Sequence, residues 1–330
     1  MPDRGRAGGL PHSSDPSQTG NPPMSQAAPA MKSRRRNGSQ RRRERAGLLF
    51  VLPAMALVVV FFLIPLCMTV WMSFHNWPLM GSPRWTGLDN YAAMLKDRRF
   101  WGAMEFTIWY SIIATIAIFG VAFPLALFVE RPGRMTGVYR TAFFLPVVVG
   151  FGSASLLWAW FMNVDSGLFS PAAVALGIVD EPVNLMATTE GVFWSIMVLV
   201  VWKTAGFSMI LLMTGLQSVP HDILEAAHID GANKFQRFWR IKLPLMRRTL
   251  ALALILSVAG SMLAFDQFYI ISNGGPRNST LTAVYWIFSQ SFVSFKLGYG
   301  AALSMVLLVI LVVISVVQLW LLRSTTGDAH

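Results

Sequence analysis

Two ionisable side chains, Lys203 and Asp266, lie well inside apolar stretches of this 330-residue chain and not at their ends. A charge kept in such surroundings is costly, so by default it serves a pathway, a relay or a buried pair. Asp266 is followed by Gln267 and Tyr269. A carboxylate and an amide can take neighbouring hydroxyls in pairs, and a phenol ring can cover an apolar C–H face. That set suits the wall of a cavity for a polyhydroxylated solute, although Phe265 and Phe268 fit a core or an interfacial belt equally well. Lys203 lies about 12 residues, and Asp266 about six, from the outer ends of their stretches, a depth difference of roughly 9 Å at about 1.5 Å per residue. A long lysine partly bridges that gap, so a structural Lys203–Asp266 pair is the alternative.

Other chemistries lack their residues. His12, His75, His221, His228 and His330 show no H-x-x-x-H or H-E-x-x-H spacing, and the single cysteine, Cys67, excludes an internal disulfide or a cysteine metal cluster. There is no G-x-S-x-G, and no G-x-x-x-x-G-K-[ST] loop to cradle nucleotide phosphates. Gly150-Phe151-Gly152 lacks the third glycine of a dinucleotide fingerprint and suits close helix packing instead.

The most informative segment is polar and lies between two apolar stretches, residues 218–248. Pro220 suits the first turn of a helix, and Asp222 and Glu225 complement its positive end. Gly231, preceded by Asp230, is a left-handed stop. Asn233 with Gln236 predicts a capping box for a second helix, which Pro244 should end by pushing Leu243 out of helical conformation. Phe235, Phe238, Trp239 and Lys242 fall on one helical face. Ala226 and Ala227 lack bulk, so the first helix can approach a partner closely.

The elements that must position these residues are membrane spans. Apolar residues make up 54% of the chain and charged residues 13%, against roughly 25% charged in an average globular protein. Six blocks are long enough to cross a bilayer: 46–74, 104–129, 138–162, 191–217, 249–272 and 297–322. Pro53, Pro65, Pro124 and Pro146 lie within them, as spans tolerate when neighbours satisfy the freed carbonyls. Stretches 168–179 and 281–295 read as external surface helices or loops. Residues 1–45, rich in Gly, Pro, Ser, Gln and Arg, predict a disordered basic tail. The apolar block after the tail is too long for a signal-peptide core of roughly 7–15 residues, so it reads as a retained first span.

The net charge of +11 is unevenly spread. The N-tail, the 130–140 turn, the 218–248 loop and the C-tail carry 20 Lys/Arg, while loops 75–103, 163–190 and 273–296 carry six. This places both termini and the 218–248 loop in the cytoplasm, and loop 163–190, with Asp165, Asp180, Glu181 and Glu190, outside. The basic excess describes a tail and loops, not a nucleic-acid-binding face.

Glu225-Ala226-Ala227, Gly231 and Ile241-Lys242-Leu243-Pro244 together resemble the coupling loop of permease subunits of ATP-binding-cassette importers, E-A-A-x-x-x-G followed by I-x-L-P. Trp202-Lys203-Thr204-Ala205-Gly206-Phe207-Ser208-Met209, Phe265-Asp266-Gln267-Phe268-Tyr269 and Asn273-Gly274-Gly275-Pro276 resemble the carbohydrate-uptake branch. The likeness spans roughly residues 46–323, and Arg248 departs from it where a proline is common. It implies an all-α membrane protein, six transmembrane helices with a cytoplasmic helix-turn-helix coupling loop. It further implies a prokaryotic cytoplasmic-membrane location and transport of a sugar or polyol by alternating access. The partners implied are a second homologous permease subunit, an ATPase dimer that uses ATP and Mg, an extracytoplasmic substrate-binding protein and the lipid bilayer. This chain would hold no cofactor, bind no nucleic acid and catalyse no reaction. Glu225, Ala226, Ala227, Asp230 and Gly231 would couple to the ATPase; Lys203, Asp266, Gln267 and Tyr269 are the candidates for the substrate path. The rival reading is an ion-coupled secondary transporter or channel using Lys203 and Asp266.

Overall fold

The computed structural model describes residues 50–323, except 131–132, 165–166, 178–179 and 182–183. The tail assigned to 1–45, Asp165 of the loop expected outside and the end of the chain after 323 lie outside the described residues. The chain divides after Val58 into two units, of which the first is described only over its helical residues 50–58. Every element named below belongs to the second unit.

A π-helical turn, Val59–Leu63, leads into α1, Ile64–Ser73, with Pro65 in the first turn where its missing N–H is not needed. A two-residue ribbon follows, β1 (His75–Asn76) antiparallel to β2 (Arg84–Trp85), then α2, Asp89–Lys96. Helix α3, Arg98–Val129, starts at Asp97, whose carboxylate accepts from the Arg99 and Phe100 N–H groups at 3.0 and 3.2 Å. The same residue ties together this end of the bundle, accepting from the Tyr299 hydroxyl at 2.7 Å and the Trp286 indole at 2.9 Å. Partial burial would raise the Asp97 carboxyl, but the bonds from Tyr299, Trp286, Phe100 and Arg99 outweigh it and hold the group below its ordinary value.

Where one helix is expected over 138–162, the structure has two, α4 (Thr136–Val148) and α5 (Phe151–Phe161), meeting at 91°. Val149 and Gly150 between them are extended, and Pro146 offers no N–H to the turn before. After α6, Phe169–Ala175, comes the long helix α7, Thr189–Gln217, capped by the Thr188 hydroxyl on the Gly191 N–H. Then follow α8 (His221–Ile229) and α9 (Lys234–Leu245). Pro244 does not end α9. A π-helical turn over Phe238–Lys242 shifts the bonding register, so Pro244 becomes the second residue of a fresh α turn, where no N–H is required. The helix stops at Met246 instead, and α10, Arg247–Met262, leaves at 77°. The block expected to continue to 272 breaks at Leu263–Phe265 and resumes as a helical turn from Asp266 to Ser272. Helix α11, Ala283–Phe288, runs on through a π turn, Ser289–Val293, before the last helix, α12, Leu297–Arg323.

Among the described residues, four helices are long and apolar enough to cross a membrane, or six if each bent pair counts as one span. Helix α7 is the central pillar. Its Val192, Ile196, Val200, Met209, Leu212 and Leu216 are buried against α3 and α10. A second core joins Phe100 and Met104 of α3 to Met262, Ala283, Leu303 and Leu307. Outward-facing Val309, Val312, Val313 and Val316 of α12 remain exposed, as befits a surface meeting lipid instead of water. Gly206 permits a close crossing of α7 and α4. A Cβ there would overlap the Phe143 carbonyl oxygen of α4.

Candidate functional site

The segment from Pro220 to Met246 assembles from purely local signals. Asp222 lies in the first turn of α8, and His221 Nδ1 meets Glu225 Oε1 one turn on at 3.1 Å. The helix closes as a Schellman motif. Gly231, at φ +83°, donates its N–H to His228 O at 3.1 Å, and the Ala232 N–H reaches Ala227 O at 2.9 Å. Asn233 and Gln236 then exchange side-chain-to-backbone bonds of 2.8 and 2.9 Å, the capping box that opens α9. Two helices thus turn sharply on a single glycine.

This turn is laid bare. Glu225, Ala226, Asp230 and Gly231 are exposed and Ala227 is half-buried. So are large apolar side chains, which a polar loop does not ordinarily leave in water: Ile229 is 85% exposed, Phe235 71% and Trp239 52%. The predicted aromatic face of α9 therefore splits. Phe235 and Trp239 point away, while Phe238 packs edge-on against Phe123 of α3 with centroids 5.8 Å apart. Behind the turn lies a cavity of about 1010 Å³, walled by Leu127, Leu216, Leu224, His228 and Phe238 among others.

The second constellation sits within the bundle. Lys203, 5% exposed, donates to the carbonyls of Val147, at 3.3 Å, and Val149, and its ammonium lies 4.6 Å from the centre of the Phe151 ring. It is the cation that holds the α4–α5 break, and no ion pair joins it to Asp266. Beside it is a cavity of about 300 Å³ lined by Tyr110, Phe151, Lys203, Ser208, Ser257 and Gln267. Gln267 is buried there and donates to the Tyr110 hydroxyl at 3.3 Å.

Of the four residues picked for this region, the structure brings Lys203 and Gln267 to one cavity and leaves two elsewhere. Asp266 is half-buried at the start of the turn after the α10 break, off the cavity wall. Tyr269 stacks with Phe265 at 5.1 Å and meets Tyr285 and Phe288 in a partly exposed aromatic cluster. Sequence reasoning missed Tyr110, whose fully buried hydroxyl is the polar floor of the cavity; its signal was a lone phenol amid the apolar run of α3. Among the described residues, no three His, Cys, Asp or Glu side chains cluster as metal ligands.

Residues 109–327 match the family described as binding-protein-dependent transport system inner membrane component. The trehalose/maltose transport system permease protein MalF of Thermococcus litoralis is 34% identical over 281 residues, 84% of this chain and 94% of that protein. The sn-glycerol-3-phosphate transport system permease protein UgpA of Agrobacterium fabrum is 31% identical over 274 residues, 82% and 92% of the two chains. In fold, the chain is similar to one in the crystal structure of a bacterial alginate ABC transporter in complex with alginate pentasaccharide-bound periplasmic protein. The TM-score is 0.72 at 19% identity, over 88% of this chain and 99% of that one.

Proposed function

Because the chain belongs to the family of inner membrane components of binding-protein-dependent transport systems, we propose that it is the permease subunit through which an ATP-driven importer passes a sugar or related polyol. It works in the cytoplasmic membrane of a prokaryote, both termini inside, beside a second, related permease chain. ATP and Mg are consumed by a separate ATPase pair, and an extracytoplasmic binding protein delivers the cargo; the alginate transporter structure holds an alginate pentasaccharide-bound periplasmic protein in complex. The relatives' named cargoes, trehalose or maltose and glycerol 3-phosphate, support a small polyhydroxylated solute.

The observation that carries this reading is the exposed turn between α8 and α9. Glu225, Ala226, Ala227, Asp230 and Gly231 form a rigid, small-faced knuckle flanked by bare Ile229, Phe235 and Trp239, a surface that is finished only when a partner covers it. The ATPase docks there, and its closure moves the knuckle and switches the spans between inward- and outward-facing arrangements. Cargo crosses past the cavity that holds Tyr110, Lys203 and Gln267, while Asp266 and Tyr269 serve the outer part of the path. The ion-relay reading finds no support in the geometry, since Lys203 is engaged by carbonyls and Asp266 lies apart from it.

Mild detergent extraction of the tagged chain from its own membranes tests this. A nucleotide-hydrolysing chain and a second permease should co-purify, and the receptor should gain thermal stability with one member of a panel of disaccharides, polyols and glycerol phosphates. Extraction of the chain alone, with uptake that collapses when the ion gradient is removed and ATP is kept, would overturn it.

A further inference from the structure

Glu130 follows directly on α3, at the end where the helix dipole is negative and a carboxylate is unwelcome. It is held there by a cation from far along the chain. Lys242 Nζ, on the π turn of α9, lies 2.6 Å from Glu130 Oε1, with both side chains under a fifth exposed, at 17% and 18%. The same end of α3 is gripped twice more. Arg140 of α4 donates to Val129 O at 2.8 and 3.2 Å, and Gln217, the last residue of α7, donates to Glu130 O at 3.2 Å. About two turns back on α3, Phe123 meets Phe238 edge-to-face. Residues 123 and 130 share a face of α3, and 238 and 242 share a face of the π turn, so α9 touches α3 at two points, one apolar and one ionic.

From this arrangement we propose that the Glu130–Lys242 pair is a positioning link that locks the α8–α9 knuckle to α3, so that a displacement of the knuckle is delivered to α3 directly as well as through α7. The proposal rests on the knuckle being the ATPase dock. Largely buried and charge-assisted, the pair resists sliding in a way that an aromatic contact alone does not. The π turn aims Lys242 inward while leaving Trp239 out, which an unbroken α register would not do for both. Lys242 stands at the unspecified position of Ile241-Lys242-Leu243-Pro244, so the motif itself does not call for the cation.

The test uses the complex extracted with its partners, in a Cys67→Ala background, with spin labels on Ile116→Cys of α3 and Arg240→Cys of α9, both exposed positions. Distances are read without nucleotide and after trapping with ATP and vanadate. With the link intact, one narrow distance should persist in both states. Glu130→Gln and Lys242→Met should each add a second distance on trapping, and the exchanged pair Glu130→Lys with Lys242→Glu should return the single distance. A merely structural contact would change stability without making the distance depend on nucleotide. If the singles keep one distance in both states while Glu225→Lys still releases the ATPase, the link is overturned and the docking reading stands. If no ATPase accompanies the parent chain, both fall together.

Discussion

At Gly231 the backbone sits at φ +83° with nothing within 4 Å of where a Cβ would be, so the cost of a side chain is torsional and not steric. For a residue with a β-carbon that is about 1–2 kcal/mol, enough to unmake the Schellman closure and fray α8. Gly231→Val should therefore leave the spans inserted and cut uptake of the receptor's sugar several-fold, with the loss read beside ATPase co-purification in the same membranes. Normal uptake and attachment would reduce the turn to a connector. Asp97 gives a second residue-scale test. Its carboxyl is held below the ordinary value of 3.8, so the ionised group's contribution is present above that value and is lost as pH falls through the lower folded value. Asp97→Asn should cost about 1 kcal/mol near neutrality, below the roughly 1.5–3 kcal/mol of bonds to charged groups because solvent screens a partly exposed carboxylate. The gap in thermal midpoint between variant and parent should close below about pH 4. A gap that stays constant from pH 7 to pH 3 would mean that the charge contributes nothing.

Among the elements, the α4–α5 break depends most on one side chain. Lys203 takes the two carbonyls that the 91° turn releases, Val147 and Val149. Lys203→Met should destabilise the extracted complex by about 1–3 kcal/mol for each carbonyl that no water reaches. Since Asp266 is not its partner, Lys203→Met with Asp266→Asn should melt no higher than Lys203→Met alone; recovery in the double variant would restore the ion pair the sequence suggests. This element also shows where sequence reading stops. The capping box at Asn233 and Gln236 and the stop at Gly231 are encoded within four residues of where they act, so they were legible. The break at 149–150 is not, because Pro146 is compatible with a continuous span and the decisive cation comes from 54 residues along. Pro244 misled for the same reason. Its effect depends on the register of the π turn before it, within which Phe238 packs toward α3 and Trp239 faces outward, an arrangement set by tertiary contacts and not by a local signal. The cavity lining was half legible: Lys203 and Gln267 meet there, but a depth count along straight helices could not foresee that α10 breaks before Asp266 and turns it aside.

For the whole molecule, the most legible property of the sequence is its asymmetry of charge, 20 Lys/Arg on one set of loops and six on the other. Cationic loops are retained in the cytoplasm during insertion, and the bias acts through short loops such as these. The knuckle carries Lys234, Arg237, Arg240 and Lys242, so an orientation that exposed it outside would require moving four cations across the bilayer. Translocating loop 163–190 moves no Lys or Arg at all. The two sides should therefore be separable by a thiol reagent that does not cross membranes, in a Cys67→Ala background. Leu185→Cys, in the 3₁₀ turn before α7, should label in intact cells stripped of their outer barrier. Arg240→Cys, exposed on the opposite side of the same pillar, should label only after the membrane is opened. If the ATPase docks on the turn as proposed, it should shield Arg240→Cys less than a cysteine at Ile229, which stands 85% exposed beside that turn. Labelling of Leu185→Cys only after disruption would invert the orientation. It would also place the knuckle outside, beyond reach of any cytoplasmic ATPase, and the importer mechanism could not operate through it.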